Sequence, residues 1–83
     1  MKIKLTEKYF IEVTRDSFLL KEHGSVGKDI VGLYPTLNKA VNGAGNLILM
    51  EEAGEETITL EEYQYRLESI KEDLMTGVYE YEN

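Results

Sequence analysis

The chain has 83 residues and a formal net charge of −7, from 16 acidic and nine basic side chains, with no cysteine and one histidine. This length predicts a single domain, residues 1–83, with one core, and the composition excludes disulfide scaffolds, cysteine-based zinc sites and histidine clusters. Because no apolar run approaches a membrane span and the first residues do not have the pattern of a signal peptide, we predict a soluble cytoplasmic protein without a cofactor or metal.

The amino-terminal part of the chain has the pattern of β-strands. Tyr9, Ile11 and Val13 alternate with other residues, which is the period of a strand with one face more buried than the other. Residues 15–17 have the composition of a turn. Residues 18–22 then predict a second strand, close enough along the chain to pair antiparallel with the first.

A third strand is predicted at residues 29–34, which are rich in β-branched and aromatic side chains. Pro35 ends it, because proline has no amide hydrogen to give to a ladder. Residues 1–34 are therefore expected to form a three-stranded antiparallel sheet.

The connection between the second and third strands, residues 23–29, has the sequence HGSVGKD and raises the question of a phosphate-binding loop. A Walker-type loop needs a glycine where this chain has Glu22 and a hydroxyl where it has Asp29. A carboxylate at that second position would repel phosphate. We therefore interpret the segment as a hairpin turn in which Gly24 and Gly27 supply positive φ angles.

An amphipathic helix is predicted at residues 36–50, with Thr36 as its amino-terminal cap. Its apolar positions follow the three-and-four spacing of a helix: Leu37, Ala40, Val41, Ala44, Leu47 and Ile48. Asn42, Gly43, Gly45 and Asn46 disfavour a helix and favour an alternative, a short helix to Asn42 followed by a loop and a fourth strand at residues 46–50. Small side chains would let another element approach this helix closely: Ala40, Gly43 and Ala44.

A second helix is predicted at residues 59–75. Thr59 and Glu62 have the spacing of a capping box at its start, and Gly77 lies where a left-handed cap would end it. One apolar stripe follows the helical period: Leu60, Tyr63, Leu67, Ile70 and Leu74. The tail, residues 78–83, alternates as a short edge strand would, or it frays. The predicted fold is α+β, a three-stranded antiparallel sheet followed by two helices packed on one face.

The acidic residues are concentrated in the second part of the chain. Residues 1–50 carry a charge of +2 and residues 51–83 carry −9. Such a surface repels nucleic acid and anionic membranes and attracts basic proteins. The loop at residues 51–56 has four carboxylates, but their spacing does not match an EF-hand. We predict no catalytic residue, since no serine has a base beside it and His23 is expected to be exposed.

The predicted partner-binding surface is formed by these acidic residues together with one tyrosine, because aromatic side chains are frequent anchors of interfaces. Its members are Glu51, Glu52, Glu55, Glu56, Glu61, Glu62, Tyr65, Glu68, Glu72 and Asp73. The simpler interpretation is a solvated helix face, in which Glu62 and Arg66 form an ordinary i, i+4 pair.

The order of motifs along residues 8–74 resembles that of small bacteriophage and prophage proteins. The stretches concerned are residues 9–13, 19–21, 27–28, 32–41 and 58–62. In that group, strands lead through a turn similar to GYYxTLEQAL into one helix, and a TSLEEL-like segment begins another. Gly43 and Gly45 depart from the pattern, as does the acidic loop. The resemblance implies a protein that works inside a bacterial host cell, where small acidic phage proteins often inhibit host machinery.

These observations favour a non-catalytic, phage-encoded binding protein. The resemblance implies an inhibitor of a host nucleic-acid-handling or defence protein, in the manner of an anti-CRISPR protein that occupies the nucleic-acid groove of a CRISPR effector. Its partner would be a host protein with a basic surface, with no direct contact to nucleic acid or membrane. The alternative is a structural or assembly role in a phage, in which apolar stripes or an exposed edge strand form a homo-oligomer.

Overall fold

A computed structural model of the chain describes residues 1–24 and 30–77. These residues form an α+β fold with the elements β1 (Lys2–Lys4), β2 (Tyr9–Val13), β3 (Phe18–Glu22), β4 (Ile30–Tyr34), α1 (Leu37–Ala53) and α2 (Leu60–Thr76). The strands make one antiparallel sheet in the order β1-β2-β3-β4, α1 packs on β3 and β4, and α2 packs on α1. The predicted class is confirmed, but the sheet has four strands where three were predicted.

The additional strand is β1, which pairs antiparallel with β2 and places Ile3 opposite Ile11. Its three residues contain a single apolar side chain between two lysines, so a period of two cannot be recognised there. The turn that leads back to β2 is held by Thr6, whose hydroxyl accepts hydrogen bonds of 3.0 Å from the amides of Lys8 and Tyr9.

The strand register assigns residues to the two faces of the sheet. Ile11 lies opposite Leu20, and both side chains are completely buried in the core cluster with residues of α1 and α2. Because side chains alternate along a strand, Leu19 and its partner Leu33 lie on the other face. Leu33 keeps 65% of its surface exposed.

Helix α1 is continuous from Leu37 to Ala53, so the alternative of a break with a strand at residues 46–50 is wrong. The predicted end at residue 50 is also wrong, because the first three residues of the predicted acidic loop, 51–53, belong to the helix. Thr36 caps it as predicted, accepting a hydrogen bond of 3.1 Å from the amide of Lys39. Contacts to neighbouring elements account for the glycines in its interior. A Cβ atom on Gly43 would overlap the ring and hydroxyl of Tyr34, and one on Gly45 would lie 3.1 Å from Cδ1 of Leu67.

Helix α2 begins and ends as its sequence predicts. Thr59 accepts a hydrogen bond of 3.1 Å from the amide of Glu62, and Gly77 closes the helix with a left-handed φ of 76°. Four of the five residues in the predicted stripe pack in or against the core: Tyr63, Leu67, Ile70 and Leu74. Leu60 is 71% exposed, so its inclusion in the buried stripe is wrong; it is the first residue of the helix, and core contacts begin one turn later. The stripe is therefore occupied within the fold.

Two predictions fall on residues that the structure does not describe. The conformation of the segment from Ser25 to Asp29, including Gly27, lies outside the described residues, and so does the tail at residues 78–83. Gly24 is described and has the positive φ predicted for it, 80°.

We expect Gly43→Ala to lower the free energy of unfolding by about 1 kcal/mol. Displacing a packed ring costs about 1–3 kcal/mol, whereas the gain in helix propensity returns only about 1 kcal/mol. In a Tyr34→Leu background the ring is gone, and the same substitution should stabilise the protein. Urea denaturation of the four variants measures both effects, and the same sign in both backgrounds would contradict this account of the glycine.

Candidate functional site

An exposed stripe runs along α2, opposite the side that packs on α1. Its members are Glu61, Tyr65, Glu68 and Glu72, which recur at i, i+4, i+7 and i+11 and therefore share one helix face. All four are exposed, and Tyr65 keeps 77% of its surface accessible to solvent. We call this set the acidic stripe.

A second group of acids surrounds Arg66 on the flank of the same helix. Its guanidinium lies 3.0 Å from Glu56 and 2.7 Å from Glu62. The hydrogen bond from Arg66 to Glu56, with the charge of Glu62 beside it, raises the pKa of Arg66 above its usual value. These two carboxylates are partly neutralised within the chain, which distinguishes them from most of the acidic stripe.

Glu51 differs from the other predicted site residues because it contacts the sheet. Its carboxylate forms an ion pair with Lys8 and accepts a hydrogen bond of 3.1 Å from the hydroxyl of Tyr9. Both partners are in or next to the start of β2. The carboxylate therefore joins the carboxy-terminal part of α1 to the sheet, and this contact gives it a structural role.

The remaining predicted residues have weaker connections to the fold. Within the part of the chain that the structure describes, no ion pair involves Glu52, Glu55 or Asp73, and Glu68 pairs with Lys71 at 3.2 Å.

Tyr65 lies between two open surface depressions. The larger, of about 570 Å³, is lined by Asn38, Tyr65, Glu68, Ser69, Lys71, Glu72 and Met75. The smaller, of about 280 Å³, is lined by Glu52, Tyr65, Arg66, Ser69, Ile70 and Asp73.

The chemistry available to this surface is that of exposed carboxylates around one aromatic ring. Among residues 1–24 and 30–77, no charged residue is buried, and no three acidic or histidine side chains are grouped as a metal site would require. His23 is exposed, as predicted, and its ring lies 4.5 Å from that of Phe10. Exposed carboxylates around an aromatic ring are suited to contact with a cationic surface. Such contact does not require the acids to be buried or paired.

Comparisons of the chain with protein-family models, with curated proteins and with solved structures found no match. Neither of the two described helices is long and apolar enough to cross a membrane.

The contact between Glu51 and Tyr9 predicts a difference between neighbouring glutamates. We expect Glu51→Gln to lower the free energy of unfolding by about 1 kcal/mol, since it weakens a hydrogen bond of typical strength and removes the ion pair with Lys8. Glu52→Gln is the matched control and should change stability by less than about 0.5 kcal/mol. Urea denaturation of both variants measures the difference. Equal effects would show that the contact adds nothing to stability.

The same contact predicts a loss of stability at alkaline pH. Burial of Tyr9, together with its hydrogen bond to Glu51, raises the pKa of the phenol above 10.0. The folded state thus holds this proton more tightly than the unfolded state, so the contribution is complete below about pH 10 and is lost as pH rises through the folded pKa.

We therefore expect stability to fall less steeply above about pH 10 in Tyr9→Phe than in the wild type. Urea denaturation at several alkaline pH values measures the two slopes. Tyr65→Phe is the control, because it removes a phenol at an exposed position outside this contact. A slope in Tyr9→Phe equal to that of the wild type would contradict the role of this contact.

Proposed function

We propose that this chain is a non-catalytic binding protein that docks through the acidic stripe of α2 onto a basic surface of another protein. The observation that carries the proposal is the arrangement of Glu61, Glu68 and Glu72 around the exposed ring of Tyr65 on one helix face. Interfaces commonly combine an aromatic anchor with charges that steer the partner and fix its orientation.

The other acids of the predicted surface differ in how available they are to a partner. Glu52, Glu55 and Asp73 have no ion pair in the described residues; Glu52 and Asp73 line the depression beside Tyr65, and Glu55 is exposed in the connection between the two helices. Glu56 and Glu62 share Arg66, so they contribute less negative potential to a partner. Glu51 is the least suited of the predicted residues, because docking would have to compete with its contacts to Lys8 and Tyr9.

The partner class follows from charge. A protein that handles nucleic acid has a groove lined by lysine and arginine that contacts phosphates, and a row of carboxylates on a rigid helix can occupy such a groove. Nucleic acid itself would be repelled by the same carboxylates. The chain would inhibit its partner by occupying the groove.

The sharper form of the proposal is a phage-encoded inhibitor of a bacterial defence or nucleic-acid-handling protein, similar in action to an anti-CRISPR protein. It is supported by the resemblance of the motifs to small phage proteins together with the negative charge of the exposed helix. A direct assay is target cleavage by purified, guide-loaded CRISPR effectors, with and without the chain. Cleavage unaffected in every effector type would contradict this form, while leaving the docking proposal to the experiment below.

We expect charge reversal in the acidic stripe to abolish capture of the partner. Immobilised wild-type chain is compared in bacterial lysate with Glu68→Lys/Glu72→Lys, which changes the net charge from −7 to −3. The double variant should lose the captured protein because attraction becomes repulsion, and Tyr65→Ala should weaken capture through loss of the anchor. Both variants should remain folded, since all three side chains are exposed.

The matched control for the single variant Glu72→Lys is Glu7→Lys, which makes the same change in net charge at an exposed position outside α2. It should keep most of the capture. Each comparison is made at low and at high salt, because contacts between exposed charges weaken as salt screens them. Capture that is indifferent to salt, or lost equally in Glu72→Lys and Glu7→Lys, would contradict docking through the stripe.

A further inference from the structure

Strand β4 is an open edge of the sheet. It pairs with β3 on one side only, so the backbone groups directed away from β3 have no strand partner among the described residues. Its five residues, IVGLY, include no charge, and three of them are exposed: Ile30, Val31 and Leu33. The opposite edge, β1, is shorter and carries Lys2 and Lys4, which is a common protection against pairing with another chain. The edge at β4 has no such charge.

An exposed apolar side chain and a shallow depression lie next to each other at this edge. Leu33 projects from the sheet with 65% of its surface exposed. Beside it lies a depression of about 280 Å³ lined by Asp16, Ser17, Leu33, Tyr34 and Pro35. A two-fold axis close to Leu33 would place the two leucines side by side, each at the edge of the depression of the other copy. Such an interface is isologous, because the same patch serves both partners.

The strand register locates the part of β4 that is suited to pairing. A register shift near Lys21 leaves Val31 without a partner in β3, whereas Gly32, Leu33 and Tyr34 pair regularly. Antiparallel pairing of this regular segment with itself, centred on Leu33, places Gly32 of one copy opposite Tyr34 of the other. Apolar and aromatic cross-strand neighbours stabilise antiparallel pairs.

The charge distribution favours a second copy of the chain at this edge. The chain carries −7, but its acidic stripe lies on the exposed face of α2, which packs on α1. Two copies can therefore meet along their uncharged β4 strands without bringing the stripes into contact. A basic partner would be attracted to α2 and would gain nothing electrostatically from β4.

We propose that two copies of this chain associate through antiparallel pairing of β4, with the two-fold axis near Leu33, to form one continuous eight-stranded sheet. This interface is separate from the acidic stripe. It does not depend on the proposed function, and either one can fail without the other.

Sedimentation over a range of concentrations tests the association. The wild-type mass should rise from one copy to two as concentration increases, and Leu33→Lys should weaken self-association by about tenfold or more, since it places like charges opposite each other. Leu60→Lys is the matched control: Leu60 is 71% exposed on α2, and its substitution should leave the dimer intact. A wild type that stays monomeric, or equal effects of the two substitutions, overturns the proposal.

A cross-linking experiment tests the register directly and does not require a destabilising change. The chain contains no cysteine, so Leu33→Cys introduces a single thiol. Residues opposite each other in antiparallel strands have Cα atoms about 4.5–5.5 Å apart, which is within the span of a disulfide. Under mild oxidation Leu33→Cys should form a covalent dimer much faster than Leu60→Cys. Equal rates for the two variants would show only random collision and would overturn pairing at β4.

Discussion

The close approach of α1 to the sheet is the contact on which the rest of the structure depends. Ala40 and Ala44 of α1 are completely buried in the core, and the ring of Tyr34 lies against the bare backbone of Gly43. Larger side chains at these positions would lift the helix from the sheet and open the core. Because α2 in turn packs on α1 around Gly45, the position of the acidic stripe also follows from these small residues.

The elements that the sequence predicts well are those with a strong local pattern. Strands β2, β3 and β4 contain enough apolar or β-branched residues to be recognised from the sequence alone. The caps at Thr59 and Gly77 are specific short-range signals for the ends of α2. The middle of α1 is ambiguous, since glycine disfavours helix by about 1 kcal/mol per residue. Tertiary contacts resolve the ambiguity, and such contacts come from residues far away in sequence. Strand β1 is missed for a different reason: its three residues contain one apolar side chain, which is too few to show the alternation of a strand.

The same difference between local patterns and long-range contacts applies to the residues of the candidate site. Spacing alone places Glu61, Tyr65 and Glu68 on one face of a helix, because their relation is local. It cannot show that Glu51 contacts Lys8 and Tyr9, which precede it by 43 and 42 residues. Long-range contacts therefore decide which acids hold the elements of the fold together and which are available to a partner. Binding of a partner protein by these acids is a prediction.

The two proposed surfaces are compatible because the fold separates them. α1 lies between them: it packs on β3 and β4 on one side and on α2 on the other. A two-fold dimer formed through β4 would display two acidic stripes on one rigid body. A partner with two basic sites, or a partner that is itself two-fold symmetric, would then bind both stripes at once, and the second contact would form at a high effective concentration. Weak attraction by exposed carboxylates, which a single stripe provides, would be strengthened in this way without any new contact.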